Sequence, residues 1–319
     1  MNYVLLLGAG FSRNWGGWLA SEAFEYLLGC PHLDAGLKDL LWRNKRSGGL
    51  EAALAELQED HFRSNRTQPE PRLKNFQDAI LQMFIDMDKA FNSVQFEFQN
   101  DIYYQVGSFL VRFDAIFTLN QDLLLERHYL SVELSSYRHW DGWEFPGMKR
   151  VTPIPTGPNN LGKWTPDPSR FNVSPRLQPY FKLHGSSNWI DSSSRELFVL
   201  GGNKASIIER YPILKWSHDR FMEYLSRPDT RLMIIGYSFG DDHINNVIRS
   251  AVAGGNVRIF VIDPLGVDVM DKNQAAQIYV PDQLASDLWP HVFGASRRSL
   301  REIFSSDRVE HSKVMAFFS

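Results

Sequence analysis

The sequence is poor in residues and patterns that several protein classes depend on. Cys30 is its only cysteine, so neither a disulfide framework nor a cysteine-ligated zinc knuckle can form within one chain. No apolar run approaches the roughly 18 residues of a membrane-crossing helix. The opening MNYVLLLGAG is too short an apolar stretch, and too bare of basic residues, to read as a signal peptide. Together these set the expectation of a cytoplasmic protein. Charge of one sign is also missing: a formal net charge of -3 over 319 residues gives no whole-chain case for nucleic acid or an acidic membrane as partner. With 43% hydrophobic and 22% charged residues, and no repeats, disorder has no compositional support. A chain of this length can bury one large core and carry insertions on it.

What is present alternates between compact, motif-bearing stretches and looser ones. Residues 3–7 form an apolar run that reads as a buried strand, ended by GAGFS and followed by the helix-like WLASEAFEYLLG, with Gly29 and Pro31 as stop signals. Residues 37–57 and 76–113 carry apolar side chains at helical spacing, such as Ile80, Phe84, Met87 and Phe91, and suggest a helical insertion over about 31–112. DAIFTLNQDLLLERHYL repeats the first arrangement, with Asn120 and Asp122 at its turn. Residues 131–179, rich in Trp, Pro, Gly and Asn, suggest a loop-rich insertion. Five short apolar runs follow, in PYFKLHGSSNW, ELFVLGG, RLMIIGYSFG, VRIFVIDP and AQIYVP. Strands alternating with helices predict an α/β fold, a Rossmann-like parallel sheet flanked by helices, in a single domain spanning 1–319. Ligands of such sheets sit at the carboxyl ends of the strands, where the polar residues of these runs fall.

GYSFG fits G-x-S-x-G, the nucleophile elbow of an α/β hydrolase, and the order Ser238, Asp263, then His291 or His311 suits a triad. Against it, Asp241 and Asp242 place two carboxylates where an oxyanion would develop, and no glycine-rich oxyanion loop is visible. The plain alternative is a tight strand-to-helix connection with Ser238 as a cap. Single motifs elsewhere are equally open. Gly8, Ala9 and Gly10 suit close approach of a pyrophosphate, or a turn needing positive φ. Ser12 and Asp122 suit helix capping, Asp263 a ribose hydroxyl or a strand end, and His184 an ordinary turn. Asp241, Asp242 and His243 suggest a hard-metal site in isolation, but adjacent residues at a helix start diverge, which favours capping and a structural histidine.

Taken together, GAGFS, TLNQD, KLHG, GYSF and VIDP resemble the ordered motifs of the sirtuin superfamily, over Gly8 to Asp263. The match departs from the deacetylases: one cysteine cannot build their four-cysteine zinc ribbon, and RNWGGWLAS replaces their G-I-P-x-F-R segment. The phrasing of GAGFSRNWGGW, KLHGS and GYSFGDDHIN is similar to bacterial sirtuin-like NAD hydrolases of anti-phage systems. That resemblance implies an NADase that splits NAD into nicotinamide and ADP-ribose, with NAD as substrate and no metal. It also implies activation by homo-oligomerisation or by a partner such as a ring ATPase or an Argonaute-type protein. By the same resemblance Asn120 holds a ribose hydroxyl or the attacking water, and His184 is the general base. Asp122 helps hold the nicotinamide carboxamide. Gly8, Ala9, Gly10 and Ser12 approach the phosphates, Gly236 and Ser238 the phosphate and adjacent ribose, and Asp263 the adenosine ribose. A different class, a subunit that binds NAD or ADP-ribose without turnover, fits the same motifs. The C-terminal segment around Leu300, Ile303 and Phe304 is expected to pack on its own domain rather than on a partner.

Overall fold

The computed structural model describes residues 1–63, 71–130, 140–152, 161–201, 204–255, 257–275 and 282–319. Eleven strands run in chain order as β1 (Asn2–Leu7), β2 (Ala115–Thr118), β3 (Gly142–Glu144), β4 (Met148–Arg150), β5 (Trp164–Pro166), β6 (Leu177–Lys182), β7 (Gly185–Ile190), β8 (Glu196–Phe198), β9 (Thr230–Ile235), β10 (Val257–Ile262) and β11 (Val292–Ser296). Seven of them form one sheet in the order β11-β10-β9-β1-β2-β6-β3, and every pairing in it is parallel. This is the Rossmann-like α/β sheet that the alternation of elements predicted.

The central strands are apolar on both faces because both faces are covered. Side chains alternate along a strand, and here the alternation sorts them into two cores. Leu5, Leu7, Ile116, Met233, Ile235, Phe260 and Ile262 join one cluster with Phe24, Leu27 and Phe304. Val4, Leu6, Phe117, Leu232, Ile234, Ile259 and Val261 join the other with Phe221, Tyr224, Ile244 and Ile248.

Strand order decides where the crevice lies. The chain builds β1, β2 and β6 outward on one side, then returns to lay β9, β10 and β11 outward on the other. The order therefore reverses between β1 and β9, and loops leaving neighbouring strands at such a switch point diverge to leave room for a ligand.

Several expectations need correction. The helical spacing of residues 37–57 corresponds to two helices, Ala35–Asn44 and Gly49–Arg63, divided where Gly48 and Gly49 take φ of 124° and 60°, conformations open mainly to glycine. The helix through Ile80 runs Pro71–Phe91 and stops there. The next segment lays Phe96 and Phe98 against Trp15, with ring centroids 4.9 and 5.1 Å away. β7 and β8 do not enter the parallel sheet but form a second sheet, β4-β5-β7-β8, with antiparallel pairs at both ends. The strand expected in AQIYVP lies outside the described residues, as do parts of the loop-rich insertion, 131–139 and 153–160. β11 was not anticipated. The helix Leu300–Ser305 buries Leu300, Ile303 and Phe304 in the same core as Leu5, as expected. No helix among the described residues is long and apolar enough to cross a membrane.

Candidate functional site

The motif residues follow the ends of five adjacent parallel strands, and strand register puts them side by side. Leu7 is paired with Thr118 and with Ile235, Thr118 with Lys182, and Ile235 with Ile262. Gly8, Asn120, His184, Gly236 and Asp263 therefore all lie within two residues beyond one level of the sheet, along β6-β2-β1-β9-β10.

At the switch point the two glycine turns close on each other. The Gly8 amide donates to the Ile235 carbonyl at 3.0 Å and the Gly10 amide to the Gly236 carbonyl at 2.9 Å. A Cβ on Gly8 would stand 2.5 Å from the Gly236 oxygen, one on Gly10 2.7 Å from the Gly236 Cα, and one on Gly236 2.4 Å from the Gly10 carbonyl carbon. Positive φ is needed only at Gly236, at 62°; Gly8 has φ of -113°. The first turn thus needs glycine for close approach of backbone, and the turn reading based on positive φ does not hold there. Ala9 is exposed at the mouth of this turn.

Asn120, Ser12 and Asp122 form a buried chain. Asn120 Nδ2 donates to the Gly8 carbonyl and to Ser12 Oγ, both at 3.1 Å, and Ser12 Oγ donates to Asp122 Oδ2 at 2.8 Å. Asp122 Oδ1 accepts from the Leu124 amide at 3.1 Å, but the N-cap of the helix Leu124–His128 is Leu123 and it has no side-chain cap, so Asp122 is not the cap that was anticipated. Ser12 lies inside the helix Ala9–Arg13, whose N-cap is Gly8, so it is not a cap. Because both amide hydrogens of Asn120 are spent on protein acceptors, only its Oδ1 is left to receive a hydrogen bond from a ribose hydroxyl or a water. Asp122 likewise has both oxygens engaged, and burial raises its pKa above the ordinary carboxylate range while Lys182 pulls it down. Beneath it, fully buried Lys182 donates to the Asp122 carbonyl and to Glu126 Oε1, both at 2.6 Å.

His184 leaves β6 just before Gly185, whose φ is 72°. There a Cβ would meet the Leu197 oxygen at 2.2 Å. Its ring is not alone. His184 Nε2 lies 2.9 Å from Nε2 of His243, and His218, from the helix Pro212–Ser226, places its ring centroid 5.3 Å from that of His243. Burial drives the His184 pKa well below its usual value, with the Lys204 charge and the two neighbouring imidazoles adding to the effect. Burial holds His218 down to about 4. His243 is lowered by burial too, with Asp241 opposing. The His184 ring is therefore neutral at pH 7. His218 and His243 were missed as partners because they come from a helix interior and a helix start remote in sequence.

The capping expected at Asp241 is also corrected, while His243, expected to be structural, packs against His184 and His218. Asp241 is the N-cap of the helix Asp242–Ala253 but makes no side-chain cap. It pairs instead with Lys204 at 2.7 Å, which Glu51 holds from the other side at 2.9 Å.

Ser238 is exposed, and positive φ falls on Gly236 and Phe239 rather than on the serine. Residues 236–241 separate β9 from the helix Asp242–Ala253, longer than the sharp elbow that presents a nucleophile. His311 is buried against Tyr103, Tyr104 and Phe304, so it cannot complete a triad. Asp263 is half-buried, its pKa raised by that burial. It lines a cavity of about 260 Å³ with Gly10, Arg13, Asn14, Gly236 and Arg298.

Residues 114–280 match the family model of the SIR2-like domain, just over half of the chain. The chain belongs to the SIR2-like family. The match takes in Asn120, Asp122, His184, Gly236, Ser238 and Asp263, and begins after the Gly8 turn. No curated protein matches the chain. Proteins of the SIR2-like family bind NAD, which fits an NAD-dependent activity at this crevice. The cavity supports that fit for one part of the ligand: its glycine floor, arginines and Asp263 suit phosphate and ribose. Its volume is below the roughly 300–1,000 Å³ of pockets that enclose a whole drug-sized molecule.

Proposed function

We propose that this SIR2-like protein is an NAD hydrolase that cuts the bond between nicotinamide and ribose, of the kind that depletes NAD in anti-phage defence. The observation that carries the reading is that Asn120, His184 and the two glycine turns follow adjacent parallel strands just past one level of the sheet, with Asn120 hydrogen-bonded to the Gly8 turn. In the reaction the C1′–N bond breaks, and nicotinamide leaves with the bonding pair, which quenches its ring charge. Water supplies the oxygen that bonds to C1′ and gives up one proton. Asn120 Oδ1 accepts a hydrogen bond from that water or from a ribose hydroxyl and so fixes its position. The imidazole pair His184 and His243, neutral before the reaction, takes the proton.

Gly8, Ala9, Gly10, Gly236 and Ser238 border the phosphates and adjacent ribose in this reading, and Asp263 accepts from the adenosine ribose. Ser12 and Asp122 contribute by holding Asn120 in place, and Asp122, whose carboxylate oxygens can each accept a second hydrogen bond, helps hold the nicotinamide carboxamide. No step in this reading calls on a metal. Activation is proposed to come from self-assembly or a partner protein. Full activity in monomeric size-exclusion fractions would contradict that part. Calorimetry with NAD, run beside detection of released nicotinamide, separates this proposal from its rival: binding with stoichiometric release supports hydrolysis, and binding without release supports a regulatory subunit.

A further inference from the structure

His184 and His243 serve the proposed proton transfer, but the third imidazole beside them, His218, has no part in that chemistry. One ligand nitrogen from each of His184, His218 and His243 lies within 4.8 Å of the others, and the closest pair is 2.9 Å apart. Three nitrogens on a tetrahedral ion, with bonds of about 2.0–2.1 Å, stand about 3.3 Å from one another. The cluster brackets that spacing, so small ring movements bring all three to it.

Proton placement agrees. His218 Nε2 lies 3.0 Å from the Leu183 carbonyl, which can only accept, so Nε2 carries the hydrogen and Nδ1 the lone pair. A metal-binding histidine is usually oriented in this way, its other nitrogen donating to a backbone carbonyl. Between His184 and His243 one Nε2 must donate to the other. Moving that single proton to the donor ring's Nδ1 leaves both Nε2 atoms as lone-pair donors, with both rings still neutral and no proton lost. Charge near the cluster is nearly balanced. Lys204, whose charge acts on His184 and His243, is paired with Asp241 and Glu51, so its repulsion of an incoming ion is muted. Three neutral imidazoles without a carboxylate among them favour borderline transition metals over Mg²⁺ or Ca²⁺.

We propose that His184, His218 and His243 form a site for a divalent transition metal, Zn²⁺ or Co²⁺, with a fourth position open to water. An ion held there occupies the lone pair of His184 and blocks it as a base, so the site is inhibitory. That second part rests on the hydrolase reading; the binding itself does not.

The test titrates chelator-treated protein with Co²⁺, followed by visible absorption and by calorimetry, with Zn²⁺ as competitor. One ion per chain is expected, with the intense visible bands of a four-coordinate site, and binding weakened at least tenfold in both His218→Ala and His243→Gln. Thermal melting of each variant shows that it is folded. Absence of saturation at one equivalent, or binding unchanged in a folded variant, would overturn the site. Zn²⁺ should also stop nicotinamide release and EDTA restore it; tight binding with undiminished release would leave the metal site standing and overturn the role of His184 in hydrolysis.

Discussion

Lys182 connects the fold to the site, and replacing it with methionine is a sharp test of that connection. Its ammonium, fully buried, donates to the Asp122 carbonyl and to Glu126 Oε1 at 2.6 Å each, while Glu126 is itself only 5% exposed at the side chain. Methionine keeps the length and removes the charge. What is left is a buried carboxylate without its cation and a carbonyl without its donor, a change that costs about 3–5 kcal/mol when one member of a buried ion pair is deleted. Burial already raises the Glu126 pKa, with Lys182 opposing, so losing the lysine raises it further above its unfolded value near 4.3. A carboxyl with a raised folded pKa is unpenalised below the unfolded pKa and loses stability as pH climbs through the folded one. The deficit of Lys182→Met in urea unfolding should therefore be smaller near pH 4, where the carbonyl's lost donor is what remains, and reach its full size at pH 8. Adding Glu126→Leu removes the stranded charge and should recover at least about 2 kcal/mol at pH 8. A deficit below about 1 kcal/mol at pH 8, one that grows toward acid, or no recovery in the double variant would refute the reasoning.

Three further outcomes follow from the geometry. Gly236→Ala should lower stability by about 2 kcal/mol or more than Gly255→Ala. Both have positive φ, 62° and 75°, but a Cβ strikes the Gly10 backbone at the first and meets nothing within 4 Å at the second; equal melting temperatures would count against the crevice packing. In chelator-treated protein, stability should fall as pH drops from about 6.5 to 4. The folded pKa of His218, about 4, lies below that of the unfolded chain, which binds the extra proton, at up to about 1.4 kcal/mol per pH unit for each such histidine. His218→Gln should flatten that slope, and an unchanged slope would refute the assignment. Ser238→Ala should raise KM for NAD severalfold with kcat unchanged, and a fluorophosphonate probe should leave Ser238 unlabelled; collapse of kcat would return it to the role of nucleophile.

The sequence was most legible where one short stretch held both strand and turn. GAGFS, TLNQD and GYSFG each follow an apolar run, and each turn falls where the register of β1, β2 and β9 puts it. Other features depended on contacts between distant segments. β11 reads poorly because Gly294 interrupts it, yet the gap is what receives the Phe260 ring, 2.5 Å from where a Cβ would be. The separation of β7 and β8 into a second sheet follows from the turn at Gly185, which the sequence marks only as glycine. At the site, Asn120 and His184 were visible through resemblance. The bonds that occupy both Asn120 donors, and the approach of His218 and His243, depend on segments up to about a hundred residues apart and carry no local signal.

Hydrolysis of NAD at His184 is tested most directly by nicotinamide release from the assembled or activated protein, compared between wild type and His184→Ala at equal folded concentration. Wild type should release nicotinamide and ADP-ribose in equal amounts, and His184→Ala should lose at least about a hundredfold in rate while keeping its melting curve. Full release by folded His184→Ala would contradict the central claim.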